Sequence, residues 1–352
     1  MAPSHEVATR DLAAPAEPLA PLLSFTSTER IIGFDIMRAL AAVGVIWIHV
    51  GRSPFWNDHN LTPAGSWGTA FLNSLAGFFV VFALQRRLDR GVVAFAAHRI
   101  WRVYGAFLVW SVIYLAARLV NYAIFGKKTM LQWDWDMCFF GTTYHLWFLS
   151  YLVVITLLTL PLVAWALRSR PRMVGVSVLL VVAASAVLIL PEPEMLSHGR
   201  EALPLYNLYA RAPGFFFGLA IGLWMLAGFR PRVGFQQALV CAAVVVGCMY
   251  LSLTTELPKH VLNRVAATAA VMIALAPWRG DLARWLASMG KLGFGVYLCH
   301  VLFIEGFIAL SKRAGVAPAL HVDVLVFVAS VVASFAFAWL MRRSRWLGWL
   351  IP

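Results

Sequence analysis

Hydrophobic residues occur along the chain in long runs that short polar segments interrupt. A bilayer core about 30 Å thick is crossed by roughly 20 apolar residues of helix, and most of the runs have about that length. The pattern predicts an all-α polytopic membrane protein with about ten transmembrane helices. The ten predicted spans are residues 31–50, 66–85, 103–124, 146–167, 173–190, 207–227, 233–255, 261–277, 292–311 and 323–341.

Composition indicates the same class. The chain of 352 residues is 61% hydrophobic and 13% charged, whereas charged residues make up about a quarter of ordinary globular domains. So few charges cannot cover a water-exposed surface, and the lipid bilayer is the expected partner. The surplus of 29 Lys and Arg over 16 Asp and Glu reflects topology and anionic headgroups rather than nucleic acid. The four cysteines show no metal-ligand spacing, so no metal is expected.

The distribution of basic residues predicts the orientation of the spans. Most Lys and Arg residues outside the spans lie on the side of the two termini, and such residues are enriched on the cytoplasmic side. Both termini are therefore predicted to be cytoplasmic. Residues 1–30 are rich in Ala and Pro and lack the regions of a cleavable signal peptide. We expect a disordered tail at 1–30, a transmembrane domain at 31–341 and a basic and aromatic tail at 342–352.

The first predicted span carries ionisable residues that are costly in lipid. Arg38 and His49 are 11 residues apart, which is three helical turns plus about 20°, so they share one face. Asp35 precedes Arg38 by three residues and is within reach of an ion pair. Ionisable groups inside a membrane usually face a cavity and are candidates for function. The alternative is that Asp35 and Arg38 anchor one interface and His49 snorkels to the other.

A second group of ionisable residues lies between the second and third spans. Arg86 and Arg87 follow the second span, and Arg99 and Arg102 are three residues apart at a predicted helix start. Two guanidinium groups with this spacing can bind a phosphate through forked hydrogen bonds. Topology by itself also requires basic residues beside a span, and that explanation stays open.

Polar and aromatic residues also occur at the fourth and ninth spans. Tyr144, His145 and Trp147 lie at the start of the fourth span, where aromatic residues commonly mark the interface. His300 and Glu305 lie within the ninth span. Neither side chain tolerates hydrocarbon, so both are expected to face a polar interior. A structural role, in which the ring is fully hydrogen-bonded, explains His300 as well as a catalytic role does.

Together these residues resemble the membrane-bound acyltransferase 3 family, whose members acylate sugars of bacterial surface and secreted glycans or related small acceptors. The resemblance covers about residues 29–341 and is most specific in the first span. In longer members, the tryptophan that matches Trp147 is followed by a pattern that contains a glutamate, which this chain lacks. Longer members also carry an appended extracytoplasmic domain. The chain therefore resembles the short branch. The matching elements are Asp35-x-x-Arg38, Arg38-x10-His49, Arg99-x-x-Arg102, His145-Leu-Trp147-Phe-Leu and Tyr297-Leu-x-His300.

The resemblance implies an O-acyltransferase of the bacterial inner membrane. The donor would be acetyl-CoA or another acyl-CoA, and the acceptor a hydroxyl of an envelope or secreted saccharide. His49 would act as the base or be acylated itself, with Arg38 and Asp35 as catalytic partners. The remaining candidates would hold the substrates: Arg86, Arg87, Arg99 and Arg102 the coenzyme, and Tyr144, His145, Trp147, His300 and Glu305 the acceptor.

Two other classes of function fit the same composition. A transporter or flippase for a glycan or lipid-linked saccharide also combines many spans with buried charges. The sequence shows neither an inverted repeat nor a matched pair of broken helices that would support it. A non-catalytic assembly subunit is the other alternative. The sequence leaves open whether the chain forms a homo-oligomer and which saccharide is the acceptor.

Overall fold

The computed structural model describes residues 31–125, 137–189, 203–229, 233–344 and 348. All regular secondary structure in these ranges is helical, which confirms the predicted all-α class. Short 3-10 turns at Thr62–Gly65 and Leu88–Arg90 flank the second long helix. The α-helices are α1 (Ile32–Val50), α2 (Pro54–Asp58), α3 (Ser66–Gln85), α4 (Val92–Phe125), α5 (Met137–Phe140), α6 (Trp147–Ala166), α7 (Arg170–Ile189), α8 (Leu203–Leu226), α9 (Phe235–Thr254), α10 (Lys259–Ala274), α11 (Asp281–Gly290), α12 (Gly293–Arg313) and α13 (Leu320–Arg343).

Nine helices in the described ranges are long and apolar enough to cross a membrane, and they confirm a polytopic membrane protein. They correspond to nine of the ten predicted spans. The remaining predicted span, residues 261–277, forms α10, which has 16 residues and includes the buried Arg264. α10 packs against α1, α3 and α9. Because protein encloses it on several sides, α10 tolerates a shorter length and a polar residue better than a lipid-facing helix does.

α4 is longer than the span predicted for it. The helix has 34 residues, whereas hydropathy predicted residues 103–124. A helix of this length measures about 50 Å, which exceeds the thickness of the hydrocarbon core. The early turns of α4 therefore extend beyond the core, and they hold Arg99 and Arg102 on a rigid helix.

α1 is the central helix of the bundle. It contacts α3, α10, α11, α12 and α13, and 61% of its most apolar stretch is buried, as in α3 and α6. The corresponding buried shares of α7, α9 and α13 are 28%, 22% and 28%, so these helices form the lipid-facing periphery. Polar side chains on α1 are thus enclosed largely by protein.

The start of α1 lies against the end of α10, and the end of α1 lies against the start of α13, so the bundle has two ends. We call the end where α1 begins and α13 terminates the basic end, and the end where α1 and α12 terminate the far end. A cytoplasmic location for the basic end stays a prediction. The predicted tail at residues 1–30 lies outside the described residues. So does most of the predicted tail at 342–352, of which α13 includes Arg342 and Arg343.

Candidate active site

A cavity of 440 Å³ lies at the basic end among α1, α3, α4, α6 and α12. Its volume is in the range of about 300–1,000 Å³ that is typical of small-molecule sites. Much of its wall is apolar and includes Phe79 and Phe148. The polar and charged wall residues come from separate parts of the chain and are Arg38, Arg87, His98, Arg99, Arg102, Lys291 and Tyr297.

The cavity gathers most of the arginines that the sequence predicts to bind a coenzyme. Arg87, Arg99 and Arg102 line it, whereas Arg86 is exposed and does not line it. The Nε atom of Arg99 is buried and has no hydrogen-bond partner within the described part of the chain. Lys291, which also lines the cavity, was not predicted, because a basic residue in a connection has no signal beyond topology.

Asp35 and Arg38 form the ion pair that their spacing predicts. Arg38 Nη1 lies 3.1 Å from Asp35 Oδ1. Asp35 is buried, and Arg38 also lies over the ring of Phe79, with 5.6 Å between its Cζ and the ring centroid. A buried carboxylate is stable only beside such a donor. Asp35 therefore holds the Arg38 guanidinium at the cavity wall.

Two glycines allow the start of α12 to lie against α1. A Cβ atom on Gly290 would collide with the carbonyl oxygen of Asp35, and one on Gly293 would lie 2.9 Å from Cγ of Arg38. Only glycine leaves room for such close approach. The junction between α11 and α12 thus presses against the turn of α1 that carries the ion pair.

Three histidines from separate elements meet in the interior of the bundle. The rings of His49 on α1 and His300 on α12 are stacked with centroids 5.3 Å apart, and the ring of His145 lies 5.0 Å from that of His300. His145 is in the turn before α6, and both it and His300 are buried. We call His49, His145 and His300 the histidine cluster. Within the described ranges, no group of three or more His, Cys, Asp or Glu side chains could hold a metal ion.

The surroundings of His300 define its protonation pattern. Its Nδ1 is 2.7 Å from the carbonyl oxygen of Tyr297 and 3.2 Å from that of Val296. Because carbonyl oxygens only accept hydrogen bonds, Nδ1 donates and Nε2 of the neutral ring is an acceptor. Nε2 is buried and has no partner among the residues that the structure describes. This nitrogen is therefore free to accept a proton or a hydrogen bond.

The histidine cluster lies between two cavities. Tyr297 lines the basic-end cavity, and its ring centroid is 5.7 Å from that of His145 and 5.9 Å from that of His300. A second cavity, of 610 Å³, lies at the far end, and Tyr144 on its wall is 5.0 Å from His49 between ring centroids. His49 lines neither of these two cavities. Arg38 and His49 nonetheless both face α12, as the shared face on α1 predicts.

The other two residues predicted on the acceptor side occupy different surroundings. Trp147 lies beneath Arg211, whose Cζ is 5.6 Å from a ring centroid of the indole, and it contacts Tyr151. Trp147 is the first residue of α6, whereas His145 lies in the preceding turn, so the two side chains have different surroundings. Glu305 forms an ion pair of 3.3 Å with Arg52 and lines the far-end cavity.

One buried carboxylate near the cluster was not predicted. Asp323, at the start of α13, accepts hydrogen bonds from the backbone N–H groups of Arg52 at 3.2 Å and Ser53 at 2.9 Å. Asp323 is 3% exposed. These bonds fix the chain just after His49. A carboxylate inside a predicted apolar span was the available signal in the sequence.

Comparisons with known proteins identify a family. The profile of the acyltransferase 3 family, described as an acyltransferase domain, matches residues 31–343. Translocator protein from Sus scrofa is similar to part of the chain, with 24% identity over 139 residues that cover 40% of this chain and 67% of that protein. No solved structure matches the chain.

Proposed function

The chain belongs to the acyltransferase 3 family and is a multi-pass membrane acyltransferase, and from this premise we propose that it transfers an acyl group from acyl-CoA to a hydroxyl of a saccharide. The donor binds in the basic-end cavity, and the acceptor approaches the histidine cluster from the far end. One observation carries the proposal. Arg38, Arg99 and Arg102 share a cavity whose wall includes the tyrosine that contacts His145 and His300.

The basic-end cavity suits the two chemical parts of an acyl-CoA. Guanidinium groups bind phosphates through paired hydrogen bonds, and Arg99 and Arg102 are on neighbouring turns of α4. Apolar wall residues such as Phe79 and Phe148 suit the pantetheine arm and a short acyl chain such as acetyl. The excess of basic residues at this end supports a cytoplasmic location, where acyl-CoA is found. The membrane in this proposal is the bacterial inner membrane.

Acyl transfer between these substrates requires one proton to be moved. The acceptor oxygen bonds to the acyl carbon, the carbon–sulfur bond breaks, and the hydroxyl proton passes through a base to the departing thiolate. A neutral imidazole can be that base. His49 is the proposed base because it is the cluster member beside Tyr144, on the side of the far-end cavity.

Arg38 has a different proposed role. A guanidinium stays protonated and cannot accept the hydroxyl proton. Its fixed positive charge can stabilise a donor phosphate or the negative charge that develops on the thioester oxygen. The ion pair with Asp35 keeps the guanidinium in place during this step.

Analysis of envelope saccharides tests the proposed function in cells. We expect mass spectrometry to detect an added acyl group in cells that express the wild-type chain, and none with His49→Ala at equal membrane abundance. His321→Ala is the matched control, since His321 is an exposed histidine at the start of α13. Unchanged acylation with His49→Ala would remove His49 from the mechanism.

A carrier without acyl transfer is the alternative that the two cavities at opposite ends suggest. Purified protein in liposomes separates the two functions. Release of thiol from acetyl-CoA supports the acyltransferase, whereas saccharide flux without any thioester supports the carrier. Family membership favours the acyltransferase.

A further inference from the structure

The far-end cavity has a mixed wall and no role in donor binding. It lies between α4 and α12 and has a volume of 610 Å³. Apolar residues of α12, among them Val301, Leu302 and Leu310, form one part of its wall. The polar part consists of Arg118, Asn121, Thr143, Tyr144, Glu305 and Arg313. Such a wall fits a ligand with polar and apolar parts.

Positive charge exceeds negative charge on this wall. Arg118 and Arg313 contribute guanidinium groups, and neither takes part in an ion pair within the described part of the chain. The carboxylate of Glu305 lies 3.3 Å from Arg52 Nη2, so its charge is already compensated. Guanidinium groups without a protein carboxylate are suited to binding an anionic ligand.

A buried hydroxyl on the same wall also indicates a ligand. Thr143 is 6% exposed, and its Oγ1 has no hydrogen-bond partner among the described residues. Buried polar groups without a partner are unfavourable and rare in native proteins. Thr143 lines the cavity, so a rotation of its side chain toward the cavity would let a ligand oxygen provide the partner. Tyr144, the next residue, places the same cavity beside the ring of His49.

We propose that the far-end cavity binds the acceptor and selects a saccharide that carries a phosphate group. Arg118 and Arg313 hold the phosphate, and a sugar hydroxyl is presented on the side of Tyr144 and His49. This inference rests on the proposed function, because it makes the cavity the acceptor side of acyl transfer. The phosphate comes either from a lipid-linked saccharide in the membrane or from a soluble sugar phosphate. Both forms present the same group to the guanidinium groups.

Binding of three probes to the purified full chain in phosphatidylcholine nanodiscs tests the proposal without catalysis. The probes are a hexose 1-phosphate, a hexose joined through phosphate to a dodecyl chain, and the uncharged dodecyl hexoside. We expect at least one phosphate probe to bind about tenfold more tightly than the uncharged probe, with a preference that weakens as salt is added. Binding of only the dodecyl phosphate probe supports a lipid-linked acceptor, and binding of both supports a soluble one. Equal binding of all three probes, or none, overturns the proposal.

Variants assign the preference to the cavity. Arg118→Gln and Arg313→Gln should each weaken binding of the phosphate probe about tenfold and leave the uncharged probe unaffected. Lys312→Gln is the matched control, because Lys312 is exposed, adjacent to Arg313 and absent from the cavity wall. An equal loss with Lys312→Gln attributes the effect to general surface charge and overturns the proposal.

Coenzyme A binding and thiol release are measured beside probe binding, so that a folding defect or a failure of the proposed function can be recognised. Coenzyme A binding reports folding of the variants, since neither Arg118 nor Arg313 lines the basic-end cavity. If a variant fails to fold, the probe preference and salt dependence of the wild-type chain decide the question. Thiol release from acetyl-CoA without any probe preference contradicts only this inference. A phosphate preference without thiol release supports the anion site and contradicts the acyl-CoA-dependent transfer.

Discussion

The two ring nitrogens of His300 have different surroundings, and the difference suggests its role. Nδ1 is tied to backbone carbonyl oxygens of its own helix, whereas Nε2 faces the interior without a partner in the described part of the chain. The stacked ring of His49 is 5.3 Å away. A ring that is fixed by backbone hydrogen bonds can hold a stacked neighbouring ring in one orientation. We propose that His300 is a positioning residue for His49, because its ring is fixed by backbone hydrogen bonds and stacks on that of His49.

The arginine pair on α4 predicts a change in donor affinity. Phosphate contacts far from the reacting carbon contribute equally before and during the reaction, so their loss raises KM more than it lowers kcat. Hydrogen bonds to charged groups contribute about 1.5–3 kcal/mol. Replacing both Arg99 and Arg102 by Ala should therefore raise the KM for acyl-CoA about 100-fold, as measured by initial rates of thiol release. Arg90→Ala is the control, because Arg90 is exposed at the same end and does not line the cavity. Equal KM values for the double variant and the wild type would exclude this donor site.

Residue spacing predicted contacts within one helix but not contacts between helices. The pair of Asp35 and Arg38 follows from their separation of three residues. The meeting of His49, His145 and His300 depends on how α1, α12 and the turn before α6 pack, and no local pattern encodes that. The same limit explains why Arg86 was grouped with Arg87, although only Arg87 lines the cavity.

At the scale of elements, the close packing of α11 and α12 on α1 positions the ion pair of Asp35 and Arg38. This packing predicts that a larger residue at the junction lowers the stability of the protein. Gly290→Ala forces a Cβ atom into the carbonyl oxygen of Asp35, and overpacking of this kind costs about 1–3 kcal/mol. We expect a lower Tm in detergent and weaker coenzyme A binding. Gly247→Ala on α9 is the matched control, because a Cβ atom there meets open space. An unchanged Tm with Gly290→Ala would show that the junction is not tightly packed.

Mean hydropathy predicted the long helices because the length of an apolar run is a local property of the sequence. Its main error occurs where a helix extends beyond the hydrocarbon core. The turns of α4 before residue 103 are helical although they lie outside the predicted span. α10 has nearly the predicted length, and neighbouring helices enclose it. Mean hydropathy does not reveal such an extension, and it does not distinguish a protein-enclosed helix from a lipid-facing one.

At the scale of the whole molecule, two cavities at opposite ends flank one histidine cluster. Tyr297 connects the cluster to the cavity with the arginines, and Tyr144 connects it to the cavity at the far end. Under the proposed function, this arrangement would let the acyl group cross the membrane interior while the coenzyme stays on one side. Composition and motifs predicted the class and the family. The two-sided arrangement required the structure, because it depends on helices far apart in the chain.

Sidedness of acyl transfer tests the central claim most directly. Labelled acetyl-CoA, which does not cross membranes, is added outside inverted and right-side-out vesicles that contain the wild-type chain or His49→Ala. We expect label in saccharide only in inverted vesicles with the wild-type chain, where the basic end faces the added donor. Equal labelling in both vesicle types, or labelling that persists with His49→Ala, would contradict a donor site at the basic end that acts through the histidine cluster.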